Sequence, residues 1–117
     1  MRVKRGFKAR RRRNRIMKLA KGYYGGRRKM FRRAVDAVHH AWIYAYRHRR
    51  ERKGDFRRLW IVRINAAARL HALSYSRLIA GLARSNVGLN RKSLADLAVA
   101  DPSAFGAVAA IARGAAA

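Results

Sequence analysis

The chain has 117 residues, of which 30 are Lys or Arg and 5 are Asp or Glu, giving a formal net charge of +25 at pH 7. Repulsion on that scale works against a compact monomer and calls for a partner dense in negative charge, nucleic acid first and an anionic membrane surface second. Five carboxylates, four His and no Cys argue against an enzyme, a metal site, a bound cofactor or a disulfide-stapled secreted fold.

The charge is uneven. Residues 1–58 hold 23 Lys/Arg against Asp36, Glu51 and Asp55, whereas residues 59–117 hold 7 against Asp96 and Asp101. A boundary near Phe56 to Leu59 is therefore expected, with a basic arm and long helix over 1–58 and a small all-helical globular domain over 59–117. The first part has too few apolar groups to be expected to form a core of its own.

The arm begins with Arg2, Lys4, Arg5, Lys8, Arg10, Arg11, Arg12, Arg13 and Arg15, nine cations in fifteen residues with no acid, which in isolation reads as a self-repelling, unfolded segment. A secretory signal is disfavoured because Lys18 interrupts the apolar run Ile16 to Ala20. A mitochondrial transit peptide would be Ser-rich, and the first Ser is Ser74.

From Arg10 to Lys21 nothing breaks a helix, and Ile16, Leu19 and Ala20 give it a weak apolar face beside Lys18 and Lys21. Gly22, Gly25 and Gly26 end it, and Tyr23 and Tyr24 sit in the turn between them. Backbone amides in such a turn can face a phosphate, although the spacing is not that of a P-loop. A plain helix connection is the equal alternative.

Arg27 to Lys53 lacks Gly and Pro, and Phe31, Ala34, Val35, Val38, Ala41, Trp42, Ala45 and Tyr46 recur at helical spacing. Phe31 and Trp42 are expected to pack in this stripe. The other faces carry Arg27, Arg28, Lys29, Arg32, Arg33, Tyr44, Arg47, His48, Arg49, Arg50, Arg52 and Lys53. If Gly54 does not end it, the helix continues through Arg57, Arg58, Arg63 and Asn65 to Arg69 and Leu70, a span of about 66 Å at 1.5 Å per residue. Phe56, Leu59, Trp60, Ile61, Val62 and Ile64 are apolar on nearly every side, the pattern of a helix covered by neighbours.

Three capped helices should follow. Ser74 caps one running to about Arg84 with Tyr75, Leu78, Ile79 and Leu82 on one face, and Asn90 caps one carrying Leu94 and Leu97 after a loop at Asn86 to Gly88. Asp101 with Pro102 opens the last, bearing Phe105, Val108 and Ile111. No strand alternation is present, so the class is all-α. The apolar stretch Phe105 to Ala112 is far too short to span a membrane.

Few groups compete for a chemical role. His39 and His40 are adjacent and so point about 100° apart on a helix, with no Cys or carboxylate one turn beyond either to complete a metal site. Asp36, Glu51 and Asp55 are outnumbered by arginines and read as local ion-pair partners. Ser74 and Ser76 lie at a cap and lack the nucleophile-elbow pattern.

Arg interleaved with aromatic residues is the stronger signal. Guanidinium forks pair with phosphate and aromatic faces stack on unpaired bases, which suits folded RNA better than uniform duplex DNA. In the C-terminal domain Arg77, Arg91 and Lys92 join Arg57 through Arg69 as candidates for reading RNA shape. A nucleoid protein and a membrane-active amphipathic protein are the rivals, but the first fifteen residues offer only Val3 and Phe7 as large apolar groups for a membrane.

RVKRG at 2–6, KLAKGYYGGRRK at 18–29, YAYRHRRERKGDFRRLWIVRINAAAR at 44–69, LSYSRLIAGL at 73–82 and NRKSLADLA at 90–98 closely resemble protein twenty of the bacterial large ribosomal subunit. The resemblance covers nearly the whole chain. It implies a cytoplasmic ribosomal protein that binds large-subunit ribosomal RNA directly, threads a basic helical extension into it, meets neighbouring ribosomal proteins without pairing with itself, and acts early in subunit assembly. In some members it further implies repression of the protein's own messenger RNA. Gly54 and the Ala-rich tail, with ten Ala in residues 98–117, depart from the family pattern.

Overall fold

The computed structural model describes residues 1–115, and among them every regular element is an α-helix. The elements are α1 (Lys8–Leu19), α2 (Gly26–Lys29), α3 (Phe31–Leu70), α4 (Tyr75–Arg84), α5 (Arg91–Ala100) and α6 (Pro102–Gly114). The all-α expectation is met. Ala116 and Ala117, the end of the Ala-rich tail, lie outside the described residues. The chain divides into two compact units, Met1–Arg50 and Glu51–Ala117, and α3 supplies residues to both.

In the first unit α1 starts at Lys8, two residues earlier than its composition indicates. Gly22 and Gly25 adopt positive φ, 84° and 58°, which only glycine takes without strain, and so turn the chain after α1. The long helix does not begin at Arg27. Residues 26–29 form a separate turn of helix, and Met30 takes extended backbone at φ −91° and ψ 118°. The Met30 carbonyl nevertheless accepts from the Ala34 N–H at 2.8 Å, which makes it the N-cap of a 40-residue α3.

Contrary to expectation, the first unit has a small core of its own. Ile16 and Ala20 of the α1 segment bury against Ala34 and Val38 of α3, with Met17, Phe31 and Val35 partly covered around them. Small side chains at positions 20 and 34 let the two segments approach closely, so a few apolar groups suffice. Phe31 packs as expected, but Trp42 is half exposed and lies against His39, with ring centroids 5.6 Å apart.

In the second unit Gly54 is helical, within α3. The expected all-round burial of this stretch is not found: Ile64 and Ala68 are buried and Trp60 partly so, while Phe56, Leu59 and Val62 stay exposed. One stripe of the helix faces the core, and Phe56 stacks on Trp60 at 6.2 Å instead of packing inward.

The core is completed by Leu73, Leu78, Leu82, Leu94, Ala95, Phe105, Ala109 and Ala112. Helix α6 packs most extensively on α4 and then on α5. Ile111 departs from its expected place and is half exposed, because Ala109 and Ala112 form the inner face of α6.

Helix ends in this unit are specified by local chemistry. Ser74 Oγ accepts from the Arg77 N–H at 3.4 Å, and Asn90 Oδ1 from the Ser93 N–H at 2.9 Å. Asp101 Oδ1 accepts from the N–H groups of Ser103 and Ala104 at 3.1 and 3.0 Å, with Pro102 in the first turn.

At the C-terminus of α3, Leu73 N–H bonds Ala68 O and Ala72 N–H bonds Arg69 O, each at 3.0 Å, a Schellman closure with Ala72 at φ 57°. Helix α4 closes the same way through Asn86 at φ 53°.

Candidate nucleic-acid interface

In the first unit 19 Lys/Arg face a single acid, Asp36, for a net +18. Every one of those cations is exposed. Helix α1 explains how: with only Ile16 inward among Lys8–Leu19, the side chains of Lys8, Arg10, Arg11, Arg12, Arg13, Arg15 and Lys18 ring the remaining faces. Repulsion among them is uncompensated within the unit, and phosphate oxygens would relieve it.

Aromatic groups orient some of these cations. The Arg11 guanidinium lies 3.9 Å over the Phe7 ring, Arg13 lies 5.5 Å over Phe31, and Arg50 lies 3.9 Å over Tyr46. Each contact restrains a long side chain that remains exposed.

Tyr23 is half-buried in the turn, whereas Tyr24 is 93 % exposed with its ring available for stacking. Along α3 the rings of His40, Tyr44 and His48 follow at one-turn spacing, with centroids 6.4 and 5.5 Å apart, the second pair stacked. Tyr23, Arg27, Arg33, Asp36, His40 and Tyr44 line one groove of about 440 Å³.

Asp36 is not the ion-pair partner its composition implies. Among the described residues its carboxylate makes no salt bridge or hydrogen bond, while its backbone carbonyl accepts from His40 Nδ1 at 2.9 Å. Asp55 does pair, with Arg58 at 3.4 Å, in an exposed i,i+3 contact that contributes little to stability.

In the second unit the named candidates do not share one face. Arg58, Asn65 and Arg69 recur at seven and four residues and line up along α3, while Arg57 and Arg63 fall elsewhere around it. Arg77 and Lys92 are exposed near the starts of α4 and α5. Arg91 is half-buried, its Nε donating to Tyr75 Oη at 2.8 Å, so a guanidinium beside α4 is held in a fixed orientation.

Two arginines escaped sequence reasoning. Arg113 donates to the His71 carbonyl just past the end of α3, and Arg84 Nη1 donates to the Ala115 carbonyl at 3.3 Å. These cations sit at helix C-termini, where they satisfy carbonyls and oppose the helix dipole. Their partners lie 42 and 31 residues away, beyond the reach of local patterning.

Among the described residues no group of three or more His, Cys, Asp or Glu is placed to hold a metal ion, and no helix is long and apolar enough to cross a membrane.

Fold and surface together define an all-α, strongly basic protein whose exposed face is suited to a polyanion. The family model for ribosomal protein L20 matches residues 2–108. A large ribosomal subunit protein bL20 of Myxococcus xanthus is 66 % identical over 115 residues, covering 98 % of this chain and 100 % of that one. Similar proteins of the same name occur in Pelobacter propionicus, 62 % identical with 96 % of each chain covered, and in Sorangium cellulosum, 57 % identical with 99 % and 98 % covered. The chain belongs to the ribosomal protein L20 family, whose members are ribosomal proteins rather than enzymes.

Proposed function

We propose that this large-subunit ribosomal protein binds large-subunit ribosomal RNA directly, and that it does so early enough to support subunit assembly. The observation that carries the reading is the first unit's composition and exposure: 19 outward cations against one acid, interleaved with exposed Tyr24, Tyr44 and Tyr46. Its mechanism is electrostatic and geometric. Cations of α1, the glycine turn and α3 neutralise phosphates that would otherwise repel as RNA segments converge.

The second unit supplies specificity under this reading. A packed core holds Arg58, Asn65, Arg69, Arg77, Arg91 and Lys92 in fixed relative positions, so it can recognise an RNA shape where flexible cations cannot. A messenger RNA folded into a like shape would occupy the same donors, which is how the repression implied for some relatives would arise in this chain. The expected setting is the cytoplasmic ribosome, among neighbouring large-subunit proteins.

The test is sedimentation of the full chain from cell extract. It is expected to travel with large-subunit particles after a moderate salt wash and to appear in early assembly intermediates. Recovery with the nucleoid or with membranes would contradict the reading.

A further inference from the structure

We propose that the groove between the glycine turn and α3 in the first unit receives one unpaired guanine of the bound RNA, with Asp36 as its edge-reading group. The inference rests on the RNA-binding reading above and names what that surface selects.

Asp36 is the only acid among residues 1–50, and its carboxylate has no partner among the described residues although the unit carries 19 cations. On a surface that meets phosphates a carboxylate is repulsive. It becomes favourable where it accepts from a donor-bearing edge. An unpaired guanine presents N1–H and an N2 amino group side by side, two parallel donors that match the two carboxylate oxygens. Adenine and cytosine offer one amino group beside an acceptor, which a carboxylate repels.

The rest of the groove fits the same ligand. Tyr23 and Tyr44 give the groove aromatic walls for a base to lie against, and Ala37 and Ala41, half-buried on the α3 side, keep the floor shallow. Residues 33, 36, 37, 40, 41 and 44 recur at three and four, so one face of α3 builds the whole wall. Arg27 and Arg33 line the groove as cations for the flanking phosphates. A volume of about 440 Å³ is ample for a single base.

The test uses the full chain and oligouridylates about nine nucleotides long carrying a central guanosine, adenosine, cytidine or inosine. Dissociation constants are read by fluorescence anisotropy at about 200 mM salt, where general charge attraction is weakened. The guanosine probe is expected to bind about tenfold more tightly than the adenosine probe, as a hydrogen-bonded charged acceptor warrants. Inosine, which lacks the amino group, should lose much of that advantage. Asp36→Asn should abolish the guanosine preference, so that the guanosine and adenosine probes bind alike, and Tyr44→Leu should weaken all purine probes.

Equal affinity for the four probes, or a guanosine preference that survives Asp36→Asn, would overturn the guanine assignment while salt-dependent RNA binding stands. Absence of salt-dependent binding to any probe and to ribosomal RNA would overturn the underlying RNA-binding reading instead.

Discussion

A Cβ added at Gly81 of α4 would lie 2.8 Å from the carbonyl carbon of Ala112 on α6 and would collide with the carbonyl oxygen. The two helices thus meet backbone to side-chain-free backbone at this point, and no flexible side chain can yield. Gly81→Ala is expected to destabilise the second unit by about 1 to 3 kcal/mol, the usual cost of overpacking. Urea unfolding followed by circular dichroism reads it as a lower midpoint; an unchanged midpoint would show that α4 and α6 do not approach so closely.

Ala72 holds φ 57° to close α3, a conformation that costs a residue with a Cβ roughly 1 kcal/mol or more. Ala72→Gly should therefore stabilise, by about 1 kcal/mol, since the position is exposed and no packing is lost. Thermal melting of the two proteins side by side measures it. A lower melting temperature for the glycine variant would contradict the closure described.

Asp101 should give the second unit an acid-side pH dependence. The Ser103 hydroxyl, then the Ala104 and Ser103 N–H groups, hold its carboxyl below the usual range against a lesser opposing effect of desolvation. The unfolded chain then takes up the proton first, so this stability is complete above the ordinary carboxylate value and is lost as pH falls through about 4 and below. Asp101→Asn keeps the capping oxygen and should flatten that part of the stability curve. An identical acid profile in the variant would remove Asp101 from the explanation.

Helix α1 should be weakly protected in the free protein. Its burial is confined to Ile16 and Ala20, with Met17 half-covered, while each ordered residue costs about 1 to 2 kcal/mol of backbone entropy and the unit carries +18. Amide hydrogen exchange is expected to be fast over 8–19 without RNA and much slower with it. Protection in the free protein equal to that of α4 would contradict the view that phosphate contacts order this helix.

Much of the fold was legible because its signals are local. Ser74, Asn90 and Asp101 announce their helices by side chains that accept from N–H groups two or three residues on, and the chain offers no strand alternation to compete. What was not legible depends on tertiary contact. The break at Met30 has no Gly or Pro to mark it, and it follows from seating Phe31, Ala34 and Val38 against Ile16 and Ala20. The exposure of Trp42, Phe56 and Val62 could not be read from hydrophobicity, since among the described residues of each unit no neighbouring helix covers those faces of α3.

The candidate interface divides the same way. Charge and aromatic content are properties of composition, so the basic first unit was visible at once. The clamping of Arg84 and Arg113 onto distant carbonyls, and the lack of a partner for the Asp36 carboxylate among the described residues, are properties of geometry alone.

If exposed cations of the first unit neutralise RNA phosphates as proposed, binding to large-subunit ribosomal RNA must weaken steeply with salt. With about 6 to 10 phosphates neutralised, affinity of the full chain should fall by roughly 10³ to 10⁵ between 50 and 200 mM salt, and removal of residues 1–15 with their nine cations should flatten the slope. A slope near zero for the full chain, or one unchanged by that removal, would contradict it.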